Sequence, residues 1–113
     1  MKTNFNELPE FSRELKQLSK KYKSLFDDLE QFKRIIDAIP LGNSKHFNVI
    51  TQNEQYAIAK ARLFCCFFKG SSLRVIYAFH YKSCKVDFIE LYFKGDKESE
   101  DHERIKEYLK NFS

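Results

Sequence analysis

Side chains able to hold and cut a phosphodiester concentrate in one third of this 113-residue sequence. Residues 62–97 carry seven basic side chains, among them Arg62, Arg74, Lys94 and Lys97, against three acidic ones, a local net charge of +4. The preceding segment is net +2 and the last sixteen residues net −2, so the chain total of +4 understates the local excess. Such a patch suits a polyanion, and equally a solvated sheet rim. Cleaving RNA without a metal takes three acts: activation of a 2′-hydroxyl, stabilisation of a dianionic phosphorane, and protonation of the leaving oxygen. Arg and Lys can stabilise the charge, and Lys, Tyr or His can move the protons when suitably tuned.

Three histidines are candidates. His46 lies in a polar loop and reads as a bystander, and His80, near a turn, reads as a surface residue. His102 opens the last helix and would approach Lys94 and Lys97 if that helix folds back, which makes it the acid or base candidate. Other chemistry has little support. Cys65, Cys66 and Cys84 are odd in number and lack CxxC spacing, so they read as reduced small hydrophobes. No zinc-ligand spacing, Gly-rich phosphate loop, HExxH or G-x-S-x-G is present. Neither a metal nor a cofactor is expected.

These side chains must be positioned by a small scaffold. The length bounds the chain to one domain, residues 1–113. Its 12 Phe and 6 Tyr suit a dense core. No apolar run reaches the roughly 18 residues of a membrane span. Met1 to Leu15 lacks the pattern of a signal peptide. The expected location is the cytoplasm, with no membrane partner.

The first half reads as helical. Phe11, Leu15, Leu18 and Tyr22 form one apolar stripe, and Leu25, Leu29, Phe32 and Ile36 form another. Ser24 with Asp27 makes a capping-box pattern, and Ile39–Pro40 ends the second helix. The short join at Lys23 implies a helical hairpin. Thr3 to Leu8 can be a short strand limited by Pro9. Residues 41–55 read as a loop with extended character at Phe47 to Ile50.

The second half alternates with period 2 over Tyr56–Phe68, Leu73–Tyr81 and Val86–Lys94, with a turn at KGSS, residues 69–72. Ser99 can cap a final helix striped by Ile105, Tyr108 or Leu109, and Phe112. The fold class is therefore α+β: an antiparallel sheet of about four strands, the helical hairpin on one face, and a C-terminal helix. Parity fixes the register, because a one-residue slip exposes an apolar face. Val75 then opposes Leu91, Tyr77 opposes Ile89, Arg74 opposes Tyr92 and Ile76 opposes Glu90. Ile89 joins Leu91 and Phe93 on the apolar face, and Phe88 joins Glu90 and Tyr92 on the other. Lys60, Arg62, Arg74, Tyr92 and Lys94 converge on the uncovered face. A cationic face with a Tyr suits single-stranded nucleic acid. The plainer alternative pairs Arg74 with Glu90 across a solvated surface.

The order helix–helix–strand–strand–strand–helix resembles the RelE/ParE superfamily of type II toxin–antitoxin toxins. The resemblance is carried by LKQLSKKYKSLFDDLE at 15–30, KARL at 60–63, KGSSLRVIYAF at 69–79 and FIELYFKGDKESED at 88–101. It implies a microbial-ribonuclease-like sheet with a groove on one face. RelE-like members cut mRNA in the ribosomal A site without a metal. The resemblance thus implies an endoribonuclease, an mRNA interferase that inhibits translation. It assigns phosphate binding and transition-state stabilisation to Arg74. Lys94, Lys97 and His102 complete the implied catalytic set, and Lys60, Arg62, Lys69 and Tyr92 the RNA-binding set. Where RelE carries an arginine-rich run after the last strand, this chain has lysines and Gly95. The implied partners are a cognate antitoxin, the ribosome with its mRNA, and operator DNA only through the antitoxin. Tyr56, Ile58, Phe64 and Ile76 would offer the antitoxin an exposed apolar surface. The alternative within the superfamily is a ParE-like toxin that inhibits DNA gyrase without nuclease activity.

Overall fold

A computed structural model describes residues 3–42, 46–63, 73–97 and 99–112 of the chain. Phe64, Cys65, Cys66, Lys69 and the KGSS turn lie outside the described residues, as does the side chain of Phe112. The elements run β1 (Asn4–Glu7), α1 (Pro9–Ser19), α2 (Leu25–Ala38), β2 (Phe47–Gln52), β3 (Tyr56–Leu63), β4 (Leu73–His80), β5 (Lys85–Phe93) and α3 (His102–Leu109). They form one five-stranded sheet in the order β1-β5-β4-β3-β2. The strands from β2 onward pair antiparallel, and β1 adds parallel to β5. The sheet thus has five strands where about four are expected, because Phe47–Gln52 completes a strand beyond its legible extended stretch.

Pro9 starts α1, where its missing N–H is no loss. The helical stripes are buried as their spacing predicts, except that α1 ends at Ser19 and Tyr22 enters the core from beyond it. Phe11, Leu15, Leu25, Leu29, Phe32 and Ile36 are buried against Ala59, Ala61, Val75, Tyr77, Phe88 and Leu91 of the sheet. Ser24 stands at the start of α2, but its hydroxyl donates to Asp28 Oδ2 at 2.8 Å, so the expected capping box does not form. Gly42, at φ 63°, turns the chain out of α2 toward β2, a conformation that suits glycine.

The register follows parity as far as Ile76, which faces Glu90; Arg74 faces Tyr92 and Val75 faces Leu91. Tyr77 then faces Phe88 rather than Ile89. A one-residue bulge at Ile89 is the cause, and it reverses two side chains. Phe88 enters the helix-covered core and stacks on Phe11 at 5.1 Å, while Ile89 joins the opposite face. Period-2 reading carries no signal for one inserted residue.

The opposite face is not uncovered. α3 packs on it through Ile105 and Tyr108, against Ile58, Ile76, Ala78, Ile89 and Tyr92. Ile58 and Ile76 are fully buried and offer no exposed apolar surface to a partner. α3 is capped by Asp101, whose side chain accepts from Arg104 N at 3.1 Å, and not by Ser99.

His80 belongs to the seam that holds α3 down, not to the surface. Its Nε2 lies 2.6 Å from Tyr108 Oη, and Tyr108 donates to Asp87 Oδ2 at 2.5 Å. The phenol's one hydrogen is thereby used, so His80 Nε2–H is the donor to Tyr108. Asn6 and Lys85 also approach Asp87, at 3.3 and 3.6 Å. Burial lowers the His80 pKa, and Lys85 adds to this; the attraction of Asp87 only partly offsets it. The unfolded chain therefore takes up this proton at a higher pH than the folded one. Stability is expected to fall on acidification through roughly pH 6.5. Thermal melts at pH 7.5 and 5.5 test this, and His80→Gln should flatten the difference.

Candidate anion-binding cleft

The antiparallel pairing of β3 with β4 sets Arg62 directly opposite Arg74, and Lys60 opposite Ile76. On the other side of Arg74 stands Tyr92, and Asn48 of β2 faces Lys60. Alternation puts these side chains on one face of the sheet. They open onto a cleft of about 300 Å³ lined in part by His46, Asn48, Lys60, Arg62, Arg74 and Lys94. α3 covers the apolar part of this face and leaves the basic end open. The convergence expected from parity is therefore present for Lys60, Arg62, Arg74 and Lys94.

Charge in the cleft is held under stress. Arg74 is only 8% exposed, and its Nη1 donates to Leu73 O at 3.2 Å. Burial, followed by the Arg62 charge beside it, lowers the pKa of its guanidinium. An arginine remains ionised regardless, so Arg74 presents a fixed cation at the cleft. Tyr92, expected to join the basic residues, is buried and does not line the cleft; it lines a neighbouring depression beside Lys97. Burial, then the carboxylates Glu100 and Glu90, raise its pKa, so it stays a neutral hydroxyl at ordinary pH.

The remaining expected residues fall around this centre. Lys60 Nζ binds Glu100 Oε1 at 2.9 Å. His102 is well exposed, with Nε2 at 3.7 Å from Glu100 Oε2, at the rim near Lys60. Lys97 does not line the cleft. Its ammonium is tied to the fully buried Glu90 and sits 5.3 Å above the Tyr92 ring. It faces a separate depression with Arg13, Leu18 and Phe93. Glu90 also accepts from the backbone N–H of Asp101 at 2.8 Å, so it is an interior anchor and not a group on a solvated face.

His46 and Asn48 are cleft residues that the sequence reading passes over. A backbone bond from Arg62 N to His46 O, 3.1 Å, brings His46 beside the arginines. The one hint is the alternation of Phe47, packed on the core, with polar neighbours on either side.

No protein-family model matches the sequence, and neither does any curated protein. The fold, however, is shared with solved structures, and it is the RelE toxin fold that the sequence resemblance implies. The archaeal RelE of the RelE–RelB complex from Pyrococcus horikoshii OT3 is similar with a TM-score of 0.65 and 19% identity, over 84% of this chain and 98% of that one. A mutant of the E. coli toxin RelE in the free state is similar with a TM-score of 0.62 and 13% identity, over the full length of both.

Proposed function

We propose that this chain is the toxin of a type II toxin–antitoxin system and a ribosome-dependent mRNA endoribonuclease. The observation that carries the reading is the cluster of Lys60, Arg62, Arg74 and Lys94 in one open cleft on a RelE-type sheet. In the reaction, a 2′-oxygen attacks the adjacent phosphorus as its proton passes to a base. The 5′-oxygen leaves with a proton from an acid, giving a 2′,3′-cyclic phosphate and a 5′-hydroxyl. The dianionic phosphorane between them needs fixed positive charge, and Arg74 supplies it, with Arg62 beside it holding the RNA strand. Lys94 at the mouth and His102 at the rim are the proton-moving candidates. Lys97 acts indirectly, holding Glu90 and the Tyr92 ring in place. Lys60 binds backbone phosphate, Tyr92 stands next to Arg74 across the strand pair, and Lys69 adds positive charge to the segment that precedes Arg74 in sequence.

The reaction as written uses protein groups alone and calls for no metal or cofactor. No described helix is long and apolar enough to cross a membrane; a ribosomal substrate places the activity in the cytoplasm. A similar RelE has been solved with RelB. By that similarity we infer a cognate antitoxin that covers the cleft and provides any contact with operator DNA. Purified protein should produce codon-phased breaks in an mRNA under translation, read by primer extension. Intact mRNA together with lost DNA gyrase supercoiling would instead select the ParE-like alternative.

A further inference from the structure

The geometry points to Glu100 as a built-in anion that occupies the phosphate seat at Lys60 and must be displaced before a substrate phosphate can bind there. This inference rests on the cleft being a phosphate-binding site. Glu100 lies in the short strap between β5 and α3, yet its side chain is only 8% exposed. A glutamate in such a strap would ordinarily extend into water. Here one carboxylate oxygen accepts from Lys60 Nζ at 2.9 Å and the other faces His102 at 3.7 Å.

Two residues flanking Glu100 are held to the sheet. Glu90, fully buried, holds Asp101 N at 2.8 Å and ion-pairs with Lys97, so both sides of Glu100 are pinned. Burial opposes ionisation of Glu100, but its bond to Lys60, a backbone hydrogen bond and the Lys60 and His102 charges outweigh this and hold its pKa below the ordinary value. The group is therefore an anion at neutral pH. Chemically, a carboxylate on a lysine at 2.9 Å presents the same charge and acceptor oxygens as a phosphate.

Glu100 thus neutralises one of the four cleft cations while leaving Arg62, Arg74 and Lys94 to meet a substrate first. A ligand with a single phosphate gains little by displacing it. A strand that already engages the arginines can exchange its next phosphate for the carboxylate, which then returns to water. The contact makes the cleft selective for an extended polyphosphate chain over scattered anions.

The test measures two probes, a labelled single-stranded RNA oligomer and inorganic tripolyphosphate, on wild type, Glu100→Gln, Lys60→Met and the double variant. Glu103→Gln removes the same charge from an exposed position of α3 and serves as the control. Glu100→Gln is expected to bind both probes about 10-fold more tightly. The salt dependence for RNA should steepen by about 0.7 in log–log slope, the share of one cation no longer neutralised by a protein carboxylate before the phosphate arrives. The gain should vanish in the Lys60→Met background, and Glu103→Gln should stay within about two-fold of wild type. A gain of under two-fold for tripolyphosphate overturns the inference. So does a gain that survives loss of Lys60 or is matched by Glu103→Gln. If tripolyphosphate behaves as expected but RNA binds no variant, the role of Glu100 stands and the nuclease reading falls. If RNA binding is lost in Arg62→Met yet indifferent to Glu100→Gln, the cleft stands as an RNA site and the role of Glu100 falls.

Discussion

Arg74→Met is expected to lower mRNA cleavage by about 10²–10³-fold while changing stability by no more than about 1–2 kcal/mol. The two halves of that expectation have one cause. Arg74 is nearly buried, and its charge is disfavoured first by that burial and then by Arg62 directly across the strand pair. Like charges in opposed strand positions cost about 0.2–1 kcal/mol. Methionine keeps the unbranched stem and its packing while removing the charge. The folded state then loses a repulsion and no apolar contact, which offsets the lost hydrogen bond from Nη1 to Leu73 O. The transition state loses a fixed cation where the phosphorane would form. A group that costs stability and lies in a cleft is the pattern expected of a functional site. Thermal melts beside primer extension separate the outcomes. A melting loss that tracks the lost activity would make Arg74 a structural residue and remove it from the site. Arg62→Met provides the comparison, because Arg62 is exposed; its loss should weaken RNA binding more than turnover.

Much of this cleft is legible in the sequence because strands alternate strictly. Once Val75 and Leu91 share a buried face, Lys60, Arg62, Arg74 and Tyr92 must share the other. That inference survives the bulge because all four lie on the Leu73 side of it. Beyond Ile76 the same reasoning misplaces Phe88 and Ile89, since an inserted residue changes the parity without changing the composition. The covering of the second face had a signal. LRVIYAF in β4 is apolar at both parities apart from Arg74, as a strand buried on both sides should be. α3 supplies that second cover. The roles of Glu90, Glu100 and Lys97 are a different matter. They depend on where a strap of about eight residues crosses the sheet, and local pattern does not fix this. In sequence, Lys97 belongs with Lys94 as a basic pair. In three dimensions Lys94 reaches the cleft and Lys97 turns to Glu90 and the Tyr92 ring.

That divergence gives the second large effect. Lys97→Met is expected to destabilise the fold by about 2–3 kcal/mol, and its loss of activity should be largely the loss of folded or correctly strapped protein. Glu90 has no exposure, and its partners include the Lys97 ammonium and the Asp101 amide. Removing the lysine strands a buried carboxylate, which costs more than the pair itself was worth. The figure is kept below the 3–5 kcal/mol found for fully interior pairs because the Lys97 side chain is 37% exposed, so water already screens part of the attraction. The double variant Lys97→Met/Glu90→Gln discriminates. Gln keeps an acceptor for Asp101 N without leaving a charge, so stability should recover most of the loss. If activity returns with it, Lys97 is a positioning residue acting through Glu90 and the strap. If stability returns while cleavage stays at the single variant's level, the ammonium itself serves the reaction and Lys97 belongs beside Lys94 in the catalytic set. Lys94→Met completes the comparison: Lys94 is exposed at the cleft mouth, so its loss should reduce cleavage and leave the melting temperature within the scatter of surface substitutions, about 0.5 kcal/mol.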